Sequence, residues 1–170
     1  MHSRSAQLAL QLILLCFSAS AMAETTLIDL DSAPGNFSTW RVSDLEATNV
    51  SFTATFKVLQ KHEQWAPSYS IKLVDGHGNE FILSGAYQGD NIPVATATVR
   101  KDKRDVASLE PALAMTLTQT YKIIIAWTDG KATVQVDGKS SPYVIGFLPT
   151  GIEVICSTGE LELKNVVFGK

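Results

Sequence analysis

The chain has 170 residues, with 14 Lys plus Arg against 17 Asp plus Glu and a net charge of −3. That mild acidity argues against a nucleic-acid partner or an anionic membrane surface, both of which favour a basic face. The length suits a single domain with a sizeable core.

The first 23 residues, MHSRSAQLALQLILLCFSASAMA, have the three parts of a secretory signal peptide. Arg4 lies near the start, an apolar stretch runs from Leu8 to Phe17, and Ala21-Met22-Ala23 forms an A-x-A cleavage site. The apolar stretch falls short of the roughly 20 residues that span a bilayer, and no later stretch comes closer, so no membrane span is expected. Cys16 has Leu15 before it, where a lipobox carries a small residue, and is read as part of the leader. The expectation is an exported, periplasmic or secreted domain over residues 24–170. Losing Arg4 takes its net charge from −3 to −4.

Beyond the leader, LIDLD at 27–31 is a first strand candidate, and Trp40 in FSTWRV is assigned to the core. VSFTATFKVL then alternates strictly. Val50, Phe52, Ala54, Phe56 and Val58 face one way, and Ser51, Thr53, Thr55 and Lys57 the other. A period of two over such a run is a half-buried antiparallel strand. SYSIKLV from Ser68, EFILSG from Glu80 and NIPVATATVR from Asn91 follow, separated by the turn sequences DGHGN and QGDN. RKDKRD, 100–105, has aspartates within its cations and is read as a solvated loop, with a polyanion contact as the alternative. VASLEPALAMTL, 106–117, is where a short helix is expected if there is one, because Pro111 prevents a continuous one.

YKIIIAWTDGKATVQVDGK, 121–139, contains two Asp-Gly pairs. A two-residue loop at Asp129-Gly130 pairs Trp127 with Ala132, Ile125 with Val134 and Ile123 with Val136 on one apolar face. The opposite face pairs Ala126 with Thr133, Ile124 with Gln135 and Lys122 with Asp137, ending in opposite charges. Slipping one residue would scramble both faces. Asp137-Gly138 marks the next turn. YVIGF from Tyr143, GIEVIC from Gly151 and LELKNVVF from Leu161 complete the strands. In GIEVIC, Ile152, Val154 and Cys156 share a face. Cys156 is the one cysteine after the leader, so it has no disulfide partner and is read as a buried, inert thiol. Many short strands with regular turns indicate an all-β domain.

The Y-K-I-I-I-A-W strand, its tight turn and V-Q-V-D-G-K together resemble the late hairpin of concanavalin A-like jelly-roll domains. That superfamily includes laminin-G-like modules, lectins and glucanases. LELKNVVFG is similar to their returning last strand. The resemblance implies an antiparallel two-sheet β-sandwich of jelly-roll type, with ligands bound on a concave face or at the loop rim. It does not imply catalysis. The E-x-D-x-x-E cluster of the related glucanases is absent, and the nearest patterns are Glu160 with Glu162 and Asp29 with Asp31.

Glu160 and Glu162 alternate with Leu161 and Leu163, which any strand with one wet face would show. His62 and His77 are the histidines beyond the leader, and no G-x-S-x-G elbow accompanies them. DGHGN, and LIDLD running on to Asn36, offer oxygen ligands, but neither fits the calcium loop D-x-[DN]-x-[DN]-G. Tight turns select the same residues, so no cofactor is assigned and calcium is the alternative.

Two aromatics sit in polar loops: Trp65 in KHEQWAPSYS and Tyr87 in GAYQGDNIP. Sugars present C–H patches ringed by hydroxyls, and a site for them needs a flat ring beside fixed polar groups. The expected site is therefore Trp65 and Tyr87 for stacking, with Gln88, Asp90 and Asn91 for hydrogen bonding. Each ring has a structural alternative, Trp65 as an end plug and Tyr87 as a hairpin cover. The function expected is non-catalytic carbohydrate binding. The alternatives are a protein-recognition module, such as a periplasmic inhibitor or assembly component, and then a glycan-active hydrolase or lyase.

Overall fold

The computed structural model describes residues 26–59, 66–88, 92–110 and 113–170. The leader, Trp65, Asp90 and Asn91 lie outside them. The strands are β1 (Leu27–Asp31), β2 (Phe37–Val42), β3 (Asn49–Leu59), β4 (Ser68–Val74), β5 (Glu80–Gln88), β6 (Ile92–Lys101), β7 (Arg104–Leu109), β8 (Thr120–Thr128), β9 (Lys131–Val136), β10 (Lys139–Val144), β11 (Gly151–Ser157) and β12 (Gly159–Gly169). They form two six-stranded sheets, β1-β12-β3-β8-β9-β10 and β2-β11-β4-β5-β6-β7, in which every pairing is antiparallel. No helix occurs among the described residues. The domain is an all-β, jelly-roll-like sandwich.

The alternating residues meet between the sheets. Val50, Phe52, Ala54 and Phe56 of β3 pack in one core with Ile123, Ile125 and Trp127 of β8, and with Ile152, Val154 and Cys156 of β11. Burial pushes the Cys156 thiol up to about 12, which keeps it protonated and unreactive at neutral pH. Trp40 is half-buried at the margin of this core, stacked on Phe168 with centroids 6.3 Å apart.

The Asp-Gly hairpin has the register its sequence predicts, from Ile123 opposite Val136 to Trp127 opposite Ala132. Asp129 and Gly130 take φ of 46° and 74°, and Asp137 and Gly138 take 46° and 87°, so each pair forms a turn of type I′ sign. The expected Lys122–Asp137 charge pair is replaced. The Asp137 carboxylate accepts from the Lys122 backbone N–H at 2.8 Å, which closes the end of the ladder.

Several boundaries differ from the sequence reading. FSTWRV is an edge strand, β2. RKDKRD is the tip of the β6–β7 hairpin, turning through Asp102 and Lys103 at φ of 48° and 65°. The first half of the helix candidate is β7. Strand β10 begins directly after Asp137-Gly138, while Ile145 and Gly146 leave the ladder to donate to the Gly130 carbonyl at 2.8 Å each.

From β7 in one sheet the chain passes to β8 in the other, and Glu110 and residues 113–119 are the described part of that passage. Leu113 and Met115 are fully buried there, and tyrosines from both sheets hold the backbone. Tyr143 Oη donates to the Glu110 carbonyl at 2.9 Å, and Tyr87 Oη to that of Met115 at 2.6 Å. Tyr69 Oη donates to the Leu113 carbonyl at 3.3 Å and accepts from the Met115 N–H at 3.1 Å. Tyr121 Oη accepts from the Thr116 N–H at 2.8 Å. The Tyr69 ring also occupies the space beside Gly85, where an added Cβ would fall 2.3 Å from it.

Gly85→Ala is therefore expected to displace Tyr69 and to cost about 1–3 kcal/mol, read from urea unfolding. An unchanged midpoint would show that the ring gives way freely. Burial holds the Tyr69 hydroxyl up at about 12, against about 10 in an unfolded chain. Its contribution to stability is complete below that unfolded value and is lost as pH rises towards the folded one. Urea midpoints should accordingly fall between about pH 10 and 12, and the drop should shrink in Tyr69→Phe.

Candidate functional site

Even-numbered residues of β5 face outward and odd-numbered ones inward, so Phe81, Leu83 and Tyr87 are buried together. Tyr87 is 4% exposed, and its ring centroid is 5.2 Å from that of Phe56. This corrects its expected place in a loop, because its ring face is not offered to a sugar. The signal was present in FILSGAY, where Phe81, Leu83 and Tyr87 share one parity. Gln88 ends β5, and its side chain lies outside the described set, as do Trp65, Asp90 and Asn91.

The outer face of the second sheet carries a shallow groove of about 420 Å³ over β4, β5 and β6, reaching β11. Two cross-strand rows form its floor. One reads Thr39, Ile155, Ser70, Ser84, Thr96 and the next Phe37, Ser157, Ser68, Ala86, Val94. Over β4, β5 and β6 the first row is thus all hydroxyl, Ser70, Ser84 and Thr96, and the second passes from Ser68 to Ala86 and Val94, at roughly 4.8 Å from strand to strand. Ser84 Oγ and Thr96 Oγ1 are 2.8 Å apart and share a hydrogen bond.

Beyond the hydroxyl row lies a charged one. Glu153 of β11 sits between Arg41 of β2 and Lys72 of β4, its two carboxylate oxygens 3.2 Å from Arg41 Nε and 3.0 Å from Lys72 Nζ. At the next row Arg100 joins Glu80 at 2.8 Å and Asp105 at 2.7 Å. The groove's opposite end is where the undescribed segments attach. Tyr87 N–H bonds the Pro67 carbonyl at 2.9 Å, and Gln88 pairs with Ile92. The stretches containing Trp65 and Asp90-Asn91 therefore join the sheet at one end of adjacent strands.

The other chemistries considered from sequence find different explanations. Glu160 and Glu162 both reach Lys57, at 2.9 Å and 2.7 Å, and Glu162 also reaches Lys164 at 2.8 Å. Lys164 first, and then Lys57, holds the Glu162 carboxyl below the usual carboxylate range. A general acid for glycoside cleavage needs the opposite shift. In DGHGN, Asp75 accepts from the His77 and Asn79 backbone N–H groups and from Asn79 Nδ2. Partial burial raises the Asp75 pKa, but these bonds outweigh it and leave the carboxyl below its ordinary value. Turn chemistry accounts for the loop. Among the described residues no group of three or more His, Cys, Asp or Glu is placed to hold a metal, and no helix is long and apolar enough to cross a membrane.

No protein-family model and no curated protein sequence matches the chain. Solved structures do. CG-16, a homodimeric agglutinin from chicken liver, superposes with a TM-score of 0.60 at 12% identity, over 77% of this chain and 99% of that one. Xenopus laevis galectin-Ib gives 0.56 at 11%, over 77% and 99%. The carbohydrate-binding module CBM66 from Bacillus subtilis gives 0.54 at 8%, over 87% and 93%. At such identities the likeness establishes the fold alone, the two-sheet jelly-roll-like sandwich.

Glu162 contributes stability that is present above its unfolded value of 4.5 and lost as pH falls through its lower folded value. Lys57→Met should therefore destabilise the fold at neutral pH, and the difference from wild type in urea midpoint should shrink as the pH is lowered. A constant difference would mean that Lys57 acts through packing alone.

Proposed function

We propose that this is an exported, non-catalytic carbohydrate-binding module whose ligand lies along the groove over β4, β5 and β6. The observation that carries the reading is the groove floor, where a row of hydroxyls, Ser70, Ser84 and Thr96, lies beside one in which Ala86 and Val94 follow Ser68. That pattern complements a sugar, whose own surface alternates C–H patches with hydroxyls, and bridging waters extend its reach. The same fold in an agglutinin, a galectin and a carbohydrate-binding module supports it. Trp65, Gln88, Asp90 and Asn91 belong to the proposal as rim contacts, because their segments attach at the groove's end. Tyr87 is withdrawn from the set. Export through the leader ending at Ala23, and a closer tie of the V-Q-V-D-G-K hairpin to the concanavalin A-like group, are parts of the same proposal.

A glycan array probed with residues 24–170 is the test. The expected result is a restricted set of bound glycans, with signal lost in Ser84→Trp, which fills the groove from an outward position, and reduced in Trp65→Ala. If Ser84→Trp binds like wild type, the groove is not the site. If the array stays blank, the carbohydrate reading fails.

A further inference from the structure

The ion pairs along the groove bear on which carbohydrates it takes. The charged side chains that the register places on this outer face are Arg41, Lys72 and Arg100 against Glu80, Asp105 and Glu153. Each is paired with an opposite charge at 3.2 Å or less. The two floor rows between these pairs and the rim carry no charged residue. Among the described residues an acidic polymer would find no unpaired cation on this face, and at Arg41 or Lys72 it would bring its charge up against Glu153. A neutral chain meets neither that cost nor repulsion.

We infer that the groove takes an uncharged polysaccharide, and that Lys72, positioned by Glu153, is the fixed cationic donor at its polar wall. This rests on the carbohydrate reading above. Lys72 and Ser70 are outward neighbours two residues apart on β4, so their Cα atoms stand roughly 7 Å apart along the strand and the lysine borders the hydroxyl row. An ammonium has three N–H donors. Glu153 takes one of them at 3.0 Å, and the side chain stays 17% exposed, which leaves donors for a sugar hydroxyl. Arg41, on the far side of Glu153, is 61% exposed and extends the wall to the sheet edge. Selection of uncharged ligands thus comes from charge that is present but already balanced, because among the described residues of this face three cations stand against three carboxylates.

Affinity electrophoresis separates the possibilities. The probes are neutral glucans, galactans, mannans and fructans in one set of gels, and polygalacturonate and dextran sulfate in another. Retardation by at least one neutral polymer is expected, with affinity changing less than about twofold between roughly 50 and 500 mM NaCl, since no net charge pairing is involved. Lys72→Met should weaken that binding about tenfold, while Lys131→Met, on the other sheet, should not. Retardation only by the acidic polymers, abolished by salt, would overturn the inference and leave the carbohydrate reading standing. Retardation by none of them would remove the reading itself. A folded Lys72→Met with wild-type affinity would overturn the role given to Lys72. Should that variant not fold, Thr96→Lys at an exposed floor position carries the test. It should gain salt-sensitive retention by polygalacturonate that wild type lacks, and no gain would count against charge balance as the basis of selection.

Discussion

The described strands change sheet six times along the chain, and the sandwich depends most on how the described backbone of one such passage, from the β7 edge to β8, is satisfied. Irregular backbone inside a protein leaves amides and carbonyls without ladder partners, and each one costs free energy unless something bonds it. All four tyrosines of the sequence meet this need around residues 110–116. Tyr69 and Tyr87 come from one sheet, Tyr121 and Tyr143 from the other. Their hydroxyls therefore set the offset of the two sheets as well as the path of the crossover. Leu113 and Met115 then fill the space the passage encloses.

With the inward positions committed to that core, the outward positions are free to carry chemistry, and the two faces of a strand are specified almost independently. On β4, Tyr69, Ile71 and Leu73 build the interior while Ser68, Ser70 and Lys72 build the groove and its charged wall. Strand β11 divides likewise between Ile152, Val154 and Cys156 inside and Glu153, Ile155 and Ser157 outside. Changes on the outer face can alter the groove's surface chemistry without disturbing the sheet, provided Glu153 keeps a cation on at least one side.

The strands buried on one face were legible in the sequence because burial imposes the period of two directly. VSFTATFK and the Asp-Gly hairpin are the clearest cases, the latter because turn geometry also sets register. The edge strands β2, β7 and β10 were not legible. They are exposed at many positions and carry a diluted hydrophobic signal, and Pro142 within β10 weakens it further. Tyr87 was misplaced because a glycine-rich, polar sequence follows it, although its parity with Phe81 and Leu83 pointed inward. The groove could not be read at all. Ser70, Ser84, Thr96 and Ile155 are ordinary outward residues until the pairing of β4, β5, β6 and β11 makes them neighbours, and that pairing is not local in sequence.

The strand order has a temporal consequence. Strand β12 lies between β1 and β3, and β11 between β2 and β4, so each sheet receives one of the chain's last two strands in its interior. Until residues 151–169 are available, β1 and β2 have no ladder partner, and β3 and β4 each lack one of their two. The most distant segments must meet before either sheet closes, which places the protein among slow-folding, non-local topologies. A chain emerging from a ribosome or a membrane pore would hold its apolar strands open until almost its whole length had emerged. During that interval its unpaired edges are most exposed to aggregation.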